Sequence, residues 1–338
     1  MYILYFSSLA IVFCCAALMT KMMLEKEIFH RDVPNSRSMH QAITPRGGGL
    51  AIIIASVVGF LLVTLCTSSY FQDYLFWCVG PLLAVTAIGW LDDRKDQSIA
   101  IRLGVQCTAA MVVSYVVLDH SGNFSNVNLL FIAAFIFASF VIVWYINLFN
   151  FMDGLDGIAS CQSIIVCLTF AYWFWSANAY PLALLSGLTG AASGGFLIFN
   201  WSPAKVFIGD VGSLSLGFLM GTFSLCATLL FDIPLVASLV IMAVFLFDAT
   251  YTLLKRMLTK QKWWRAHRSH LYQRAANFMN HRSIVMVTVM INLCLSIVAT
   301  WYISERKFGV LLLLFVVAAL YCLALLIEKK DSTAVATN

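Results

Sequence analysis

Charge is what this chain has least of. Of its 338 residues 11% are charged, whereas 61% are hydrophobic. That balance excludes an ordinary soluble domain and belongs to a polytopic membrane protein. In a soluble chain the net charge of +5 would suggest nucleic acid; here its distribution matters more than its sum, and no nucleic-acid partner is expected. The ten cysteines include no Cys-x-x-Cys pair. They read as small core residues, not as metal ligands or a disulfide frame. No Gly-x-x-x-x-Gly-Lys-Ser/Thr occurs, which excludes a Walker-type phosphate loop. There is no internal repeat and no low-complexity tract. No polar stretch exceeds Lys21–Arg46 or Leu254–Arg282, so residues 1–338 are expected to form one membrane-embedded domain. No charged residue falls at the middle of an apolar run. An ion-coupled transporter usually carries carboxylates there, so this absence argues for an enzyme whose site lies at helix ends.

What is present is a series of long apolar runs. Hydropathy in windows of about 19 residues gives eleven candidate spans, at 2–20, 47–66, 74–91, 99–118, 128–146, 158–176, 181–199, 211–231, 234–253, 283–302 and 308–327. The first has no basic residue before it, and Lys21 and Lys26 follow it, which reads as an anchor with its N-terminus outside. Alternation from there places nineteen of the 21 Lys and Arg on the inside, Arg306 and Lys307 being the exceptions. The expected fold is therefore all-α, with eleven transmembrane helices and a cytoplasmic C-terminus. Gly190/Gly194 and Gly217/Gly221 are spaced for close helix packing.

The polar clusters all fall at the inside ends of these spans. Asn147-Leu-Phe-Asn150-Phe-Met-Asp153-Gly154-Leu-Asp156-Gly157 separates two apolar runs and contains no Lys or Arg. Such a cluster is costly at a membrane boundary unless a divalent cation or a polar ligand compensates; Asp-Gly as a simple turn is the plainer alternative. The third span ends in Asp92-Asp93-Arg94-Lys95-Asp96, paired acids that suit Mg²⁺ or phosphate–Mg²⁺ and could equally be a solvated loop. Arg46 precedes Gly47-Gly48-Gly49, where backbone N–H groups at a helix start could meet an anion. Phe207-Ile-Gly209-Asp210-Val-Gly212-Ser213 opens the eighth span; Asp210 is read as a ligand-directed acid, more than a helix cap. Asp248 is the one acid expected within the inside half of a span, either paired with Lys255 or Arg256 or part of the site. The last inside loop holds Trp263, Trp264, His267, Arg268, His270, Tyr272 and Arg274, a set suited to a nucleotide or sugar phosphate, or to an interfacial helix.

Taken in order, Asp92-Asp93-x-x-Asp96, Asn150-x-x-Asp153-Gly-Leu-Asp156-Gly, Phe207-Ile-Gly-Asp210-x-Gly-Ser213 and His267-Arg-Ser-His270 resemble the polyprenyl-phosphate N-acetylhexosamine-1-phosphate transferases (glycosyltransferase family 4), over nearly the whole chain. The resemblance implies a multi-pass enzyme of the bacterial inner membrane, Mg²⁺ with Mn²⁺ as an alternative, undecaprenyl phosphate as acceptor, a UDP-N-acetylamino sugar as donor and UMP released, with self-association left open. It further implies catalytic roles for Asp92, Asp93, Asp153, Asp156 and His270. Substrate contacts are implied for Arg46, Asn150, Phe207, His267 and Arg268, and metal contacts for Asp210 and Asp93. Tyr272 and Gln273 stand where the family's His-x-His-His motif continues with histidines. That departure turns the likeness away from MraY-type and WecA-type enzymes and towards the WbpL-like branch that starts O-antigen chains. Those enzymes favour 6-deoxy sugars such as N-acetylfucosamine or N-acetylquinovosamine. A polyprenyl-lipid or nucleotide-sugar transporter, or an MraY-type phospho-N-acetylmuramoyl-pentapeptide transferase, is the alternative.

Overall fold

A computed structural model describes residues 2–32, 43–67, 73–122, 128–262 and 267–337. Trp263 and Trp264, the expected interfacial pair, lie outside these residues. The protein is 81% helical. In chain order the helices are α1 (Tyr2–Glu25), α2 (Gly49–Thr67), α3 (Asp73–Arg94), α4 (Ile99–His120), α5 (Leu129–Met152), α6 (Ile158–Ser176), α7 (Tyr180–Asn200), α8 (Gly209–Leu230), α9 (Leu235–Ile241), α10 (Ala243–Leu258), α11 (Leu271–Ala275), α12 (His281–Glu305) and α13 (Gly309–Thr337). Every predicted span is thus helical. Among the described residues eight helices are long and apolar enough to cross a membrane, and α9 with α10 would make a ninth, bent by 79°. The other two predicted spans are α2, whose apolar described stretch Gly49–Leu65 is shorter, and α3, which ends on Asp92-Asp93-Arg94.

Two departures bear on the site. The helix α5 does not stop at Ile146 but runs through Asn147 and Asn150 to Met152, so its last turn presents the Asn150 carboxamide, while Asn147 donates to Gln106 at 2.8 Å. A two-stranded antiparallel ribbon also interrupts the all-α pattern: β1 (His30–Asp32) pairs with β2 (Thr44–Arg46), His30 opposite Arg46.

The interior is built on α6, α7 and α8, buried over 67%, 72% and 78% of their apolar windows, whereas α1 and α13 are buried over 22% and 17%. α8 packs on α2, α3, α4 and α5. Small residues set those distances. A Cβ on Gly49 would lie 2.2 Å from Cα of Gly212, so α2 and α8 meet backbone to backbone. One on Gly217 would fall 2.6 Å from the Tyr145 carbonyl, and one on Gly190 3.3 Å from Cys167, as the predicted small-residue packing requires. No disulfide joins any of the nine described cysteines.

Glycine substitutions should therefore have opposite signs at two sites. Gly49→Ala overpacks the α2–α8 contact and should cost about 1–3 kcal/mol. Gly104→Ala, with nothing within 4 Å of the added methyl, should be neutral or stabilise α4 by up to about 1 kcal/mol. Thermal unfolding in detergent reads both; equal effects would contradict the packing.

Candidate active site

Asp93 organises one end of the bundle. It closes α3 with its side chain 1% exposed. Its Oδ1 accepts the backbone N–H of Asp210 at 2.8 Å, and its Oδ2 that of Val211 at 3.0 Å. The start of α8 has orphan N–H groups, and its N-cap, Ile208, has no side-chain oxygen to offer. A carboxylate from another helix supplies both acceptors, favoured by the positive end of the α8 dipole. Gly89, one turn earlier on the same face of α3, permits this approach: its Cβ would lie 2.6 Å from the Asp210 carbonyl. Gly209 is required in two ways, by its φ of +73° and because a Cβ there would strike Asp93 Oδ2 at 2.5 Å.

Because Asp93 caps α8, the Asp210 carboxylate is available for other partners. Arg46 joins both acids, its Nε 2.8 Å from Asp93 Oδ1 and a terminal nitrogen on Asp210 Oδ1. Asn150, on the last turn of α5, donates to Asp210 Oδ1 at 3.0 Å and to the Ser213 hydroxyl at 3.0 Å. Arg102, near the start of α4, reaches Asp92 Oδ2 at 2.5 Å and Asp210 Oδ2 at 3.3 Å. Asp92 also accepts the Gln97 N–H at 2.6 Å, closing the α3–α4 turn. The arginine side chains are 35% and 29% exposed and the acids they hold 8% or less, so the two cations lie between the buried carboxylates and solvent.

Asp153 completes the cluster. It follows α5 directly and lies in the field of Arg46, Asp210, Asp93 and Asp156. Burial pushes it up to about 8; Arg46 opposes the shift, and the three neighbouring acids add to it. Burial likewise raises Asp93 to about 7, against the pull of Arg46, and Asp92 to about 6.

The remaining expected residues are placed differently. Gly47, Gly48 and Gly49 were expected to offer N–H groups to an anion. They donate instead to the carbonyls of Phe207 (3.2 and 2.9 Å) and Ile208 (2.8 Å), while Phe207 N–H donates to Pro45 at 2.8 Å. Asp156 accepts the Ala204 N–H at 3.0 Å and so anchors the segment between α7 and α8. Asp248 pairs with neither Lys255 nor Arg256. Its oxygens accept the N–H groups of Leu271 and Tyr272 at 2.9 and 3.0 Å, and Oδ1 faces His270 Nδ1 at 3.1 Å. A carboxylate at Nδ1 favours the proton there and leaves Nε2 as acceptor. Burial lowers His267 to about 4, helped by His270 and Arg256, so at neutral pH it is not a phosphate-binding cation. Arg268 is exposed. Arg274 turns onto α13, to Glu328 at 2.8 Å and Asp331 at 2.7 Å. Tyr272 is buried, with its hydroxyl donating to the Phe151 carbonyl at 3.1 Å, and Gln273 accepts the His270 N–H at 3.3 Å. Neither is presented as a selector of sugar.

The structure thus brings together Arg46, Asp92, Asp93, Asn150, Asp153 and Asp210, and attaches the histidine loop to them through Tyr272. Sequence reasoning passed over Arg102, which it counted only as an inside charge. The signal was there: an arginine inside a predicted span needs a partner.

The family model for "Glycosyl transferase family 4" matches residues 75–228, which include α3, α4, α5 and most of α8. A Bacillus subtilis (strain 168) protein named "Probable undecaprenyl-phosphate N-acetylglucosaminyl 1-phosphate transferase" is 31% identical over 279 residues, 79% of this chain and 76% of that protein. A Chlamydia trachomatis serovar L2 phospho-N-acetylmuramoyl-pentapeptide-transferase is 31% identical over 218 residues, 56% of this chain and 62% of that protein. The Lactobacillus gasseri protein of the same name is 31% identical over 209 residues.

Two outcomes test this geometry. Asp93→Ala leaves the α8 N–H groups and Arg46 without their acceptor and should destabilise by about 3–5 kcal/mol, as breaking a buried pair does. Asp92→Asn, which keeps an oxygen for the Gln97 N–H, should unfold later than Asp93→Ala. For Asp153 the sign follows from its raised value. Between the ordinary carboxyl value of about 4 and about 8, the folded state holds the extra proton, so its stability falls as pH rises across that window. Asp153→Asn should therefore raise the melting temperature at pH 9 in EDTA and leave it unchanged below pH about 4. An equal effect at both pH values would contradict the burial of this carboxyl.

Proposed function

This chain belongs to the polyprenyl-phosphate hexosamine-1-phosphate transferases, glycosyl transferase family 4, and on that premise we propose that it moves an N-acetylamino-sugar 1-phosphate from a UDP-sugar to undecaprenyl phosphate. The observation that carries this reading is the convergence of two arginines on one carboxylate, Asp210, amid three further acids. Carboxylates beside guanidinium groups at the end of a membrane bundle suit transfer between phosphates of a lipid and a nucleotide.

In the proposed reaction an oxygen of the lipid phosphate forms a bond to the β-phosphorus of the UDP-sugar. The bond from that phosphorus to the bridging oxygen breaks, and UMP leaves with the electron pair. The second pKa of a phosphate monoester is about 6, so the acceptor is largely ionised at neutral pH and needs alignment more than a general base. Arg46 and Arg102 are the cations that offset charge on the diphosphate. Asn150 orients Asp210, and Asp93 fixes its backbone. His270, held through Nδ1, meets a phosphate oxygen or departing UMP through Nε2 only as the imidazolium, in which both ring nitrogens donate.

The donor chemistry suits Mg²⁺: hard carboxylate oxygens, of which such an ion needs only one or two beside substrate phosphates. Among the described residues no three acidic, histidine or cysteine side chains form a ready cage. Asp210 and Asp153 would hold the ion. Asp93, first expected as a ligand, is engaged by two N–H groups and Arg46. Bound there, Mg²⁺ would neutralise the diphosphate as a Lewis acid.

The finer reading is that the product starts a lipid-linked O-antigen or a related glycan, at the cytoplasmic face of the bacterial inner membrane. What supports it over pentapeptide transfer is the sequence of the histidine loop, which has Tyr272 and Gln273 where the family pattern continues with histidines.

Purified protein given undecaprenyl phosphate, a UDP-sugar and Mg²⁺ should release UMP, and EDTA should stop it; a transporter would release none. Asp210→Asn should abolish release with normal membrane insertion, and undiminished turnover would remove Asp210 from the chemistry. Within a donor panel, a 6-deoxy UDP-N-acetyl sugar should outrun UDP-N-acetylglucosamine and the pentapeptide donor. The reverse order would move the chain out of the O-antigen branch.

A further inference from the structure

The helix α10, which follows the bend after α9, is connected to the Asp153 turn by way of α11. Asp248 is 4% exposed and lies in the first half of α10. Its two oxygens accept the N–H groups of Leu271 and Tyr272, and the Thr252 hydroxyl donates to Oδ1 at 3.1 Å. The short helix α11 is therefore suspended from α10. On its other side Arg274 and Asn277 fasten it to Glu328 and Asp331 of α13. Held on two sides, α11 is a fixed platform.

From that platform Tyr272 extends to the end of α5. Its hydroxyl donates to the Phe151 carbonyl at 3.1 Å. A Cβ on Gly154 would lie 2.0 Å from the hydroxyl oxygen and 2.9 Å from Cζ, so the ring tip fills the space that Gly154 leaves. The rings of Phe151 and His270 stack at 6.2 Å, and those of His270 and Tyr272 at 5.8 Å. Phe151 and Gly154 flank Met152 and Asp153, so Tyr272 holds the turn that carries Asp153 on both sides. Among the described residues no side-chain hydrogen bond orients the Asp153 carboxyl; its place in the cluster is set by this backbone turn.

We propose that Tyr272 is a positioning residue, which fixes the Asp153 turn against the histidine loop by bonding the Phe151 carbonyl and occupying the space over Gly154. This rests on reading the acid cluster as the transfer site. It also assigns a task to a position at which this chain departs from the histidine of the family pattern. A histidine at Tyr272 would be too short to reach both the carbonyl and Gly154, whereas phenylalanine keeps the ring and loses only the hydroxyl.

The test is a double-mutant cycle on Tyr272→Phe and Gly154→Ala, read by UMP release and by Mg²⁺-dependent thermal shift. Tyr272→Phe should lower kcat about three- to tenfold, the loss of one hydrogen bond, with KM for the UDP-sugar unchanged and the Mg²⁺ midpoint displaced. Gly154→Ala should lower kcat further, because the methyl meets the hydroxyl. Adding Tyr272→Phe to Gly154→Ala should restore activity above the product of the single effects, since it removes the atom at 2.0 Å. Should Gly154→Ala not fold, recovery of folded protein by Tyr272→Phe measures the same coupling. Multiplicative effects, or wild-type kcat and Mg²⁺ midpoint in Tyr272→Phe, would overturn the proposal. Wild-type protein that turns over no donor would overturn the transferase reading instead. The coupling would then be read from the Mg²⁺ midpoints of the four proteins, and equal midpoints would overturn the proposal as well.

Discussion

The site depends on a carboxylate placed under the amino end of a helix to which it does not belong. The first N–H groups of α8 are on buried residues with no side-chain cap of their own, and an unmet buried donor costs more than a typical hydrogen bond gains. Asp93 accepts from two of them. The consequence reaches further than the helix end. An aspartate at the first turn of a helix ordinarily folds back on its own backbone; here that task is done from α3, and Asp210 is directed outward to Arg46, Arg102 and Asn150. Two acids are thereby brought together at the edge of the bilayer. Their repulsion is offset by the guanidinium that spans both and by the helix dipole beneath.

Arg46 is held as firmly as the acids it pairs with. The ribbon places it opposite His30, a parallel bridge joins it to Phe207, and the next three glycines donate to the carbonyls before α8. The segments leading into α2 and α8 are therefore stitched together, and the backbone contact of Gly49 with Gly212 continues the seam into the bundle. The position of the Arg46 side chain follows from backbone pairing, and the same pairing takes up the Gly47–Gly49 N–H groups that were expected to meet an anion.

Much of this was legible in the sequence. Apolar runs announce spans because burying backbone in lipid requires helices, and alternation alone put the three acidic clusters at one end. What failed to show were contacts made by backbone atoms. Nothing in a residue string says that Asp93 accepts from α8, that Gly48 N–H is satisfied by Phe207, or that Asp248 caps α11. Arg102 was missed because its charge served the orientation argument, and one explanation hid the other. The bend between Ile241 and Ala243 left no proline or glycine as a sign, and Tyr272 was read by analogy with histidines when its surroundings, Phe151 and Gly154, made it a packing element.

The balance of charge in the cluster explains why it can exist before any ligand arrives. Four carboxylates against two guanidiniums would leave an excess of negative charge beside the apolar core, which lipid does not tolerate. Burial raises Asp153 to about 8, so at neutral pH the fold retains a proton there that water would have taken. Arg46 shifts the other way, its guanidinium held protonated by Asp210 and Asp93 against the cost of its own burial. The ligand-free cluster is therefore close to neutral through proton uptake and ion pairing together. A phosphate-bearing substrate must compete with Asp93 and Asp210 for Arg46, and with Asp92 for Arg102. Discrimination begins there: a ligand with one weakly charged group cannot repay two broken ion pairs, whereas a diphosphate and a lipid phosphate bring enough charge to occupy both arginines at once.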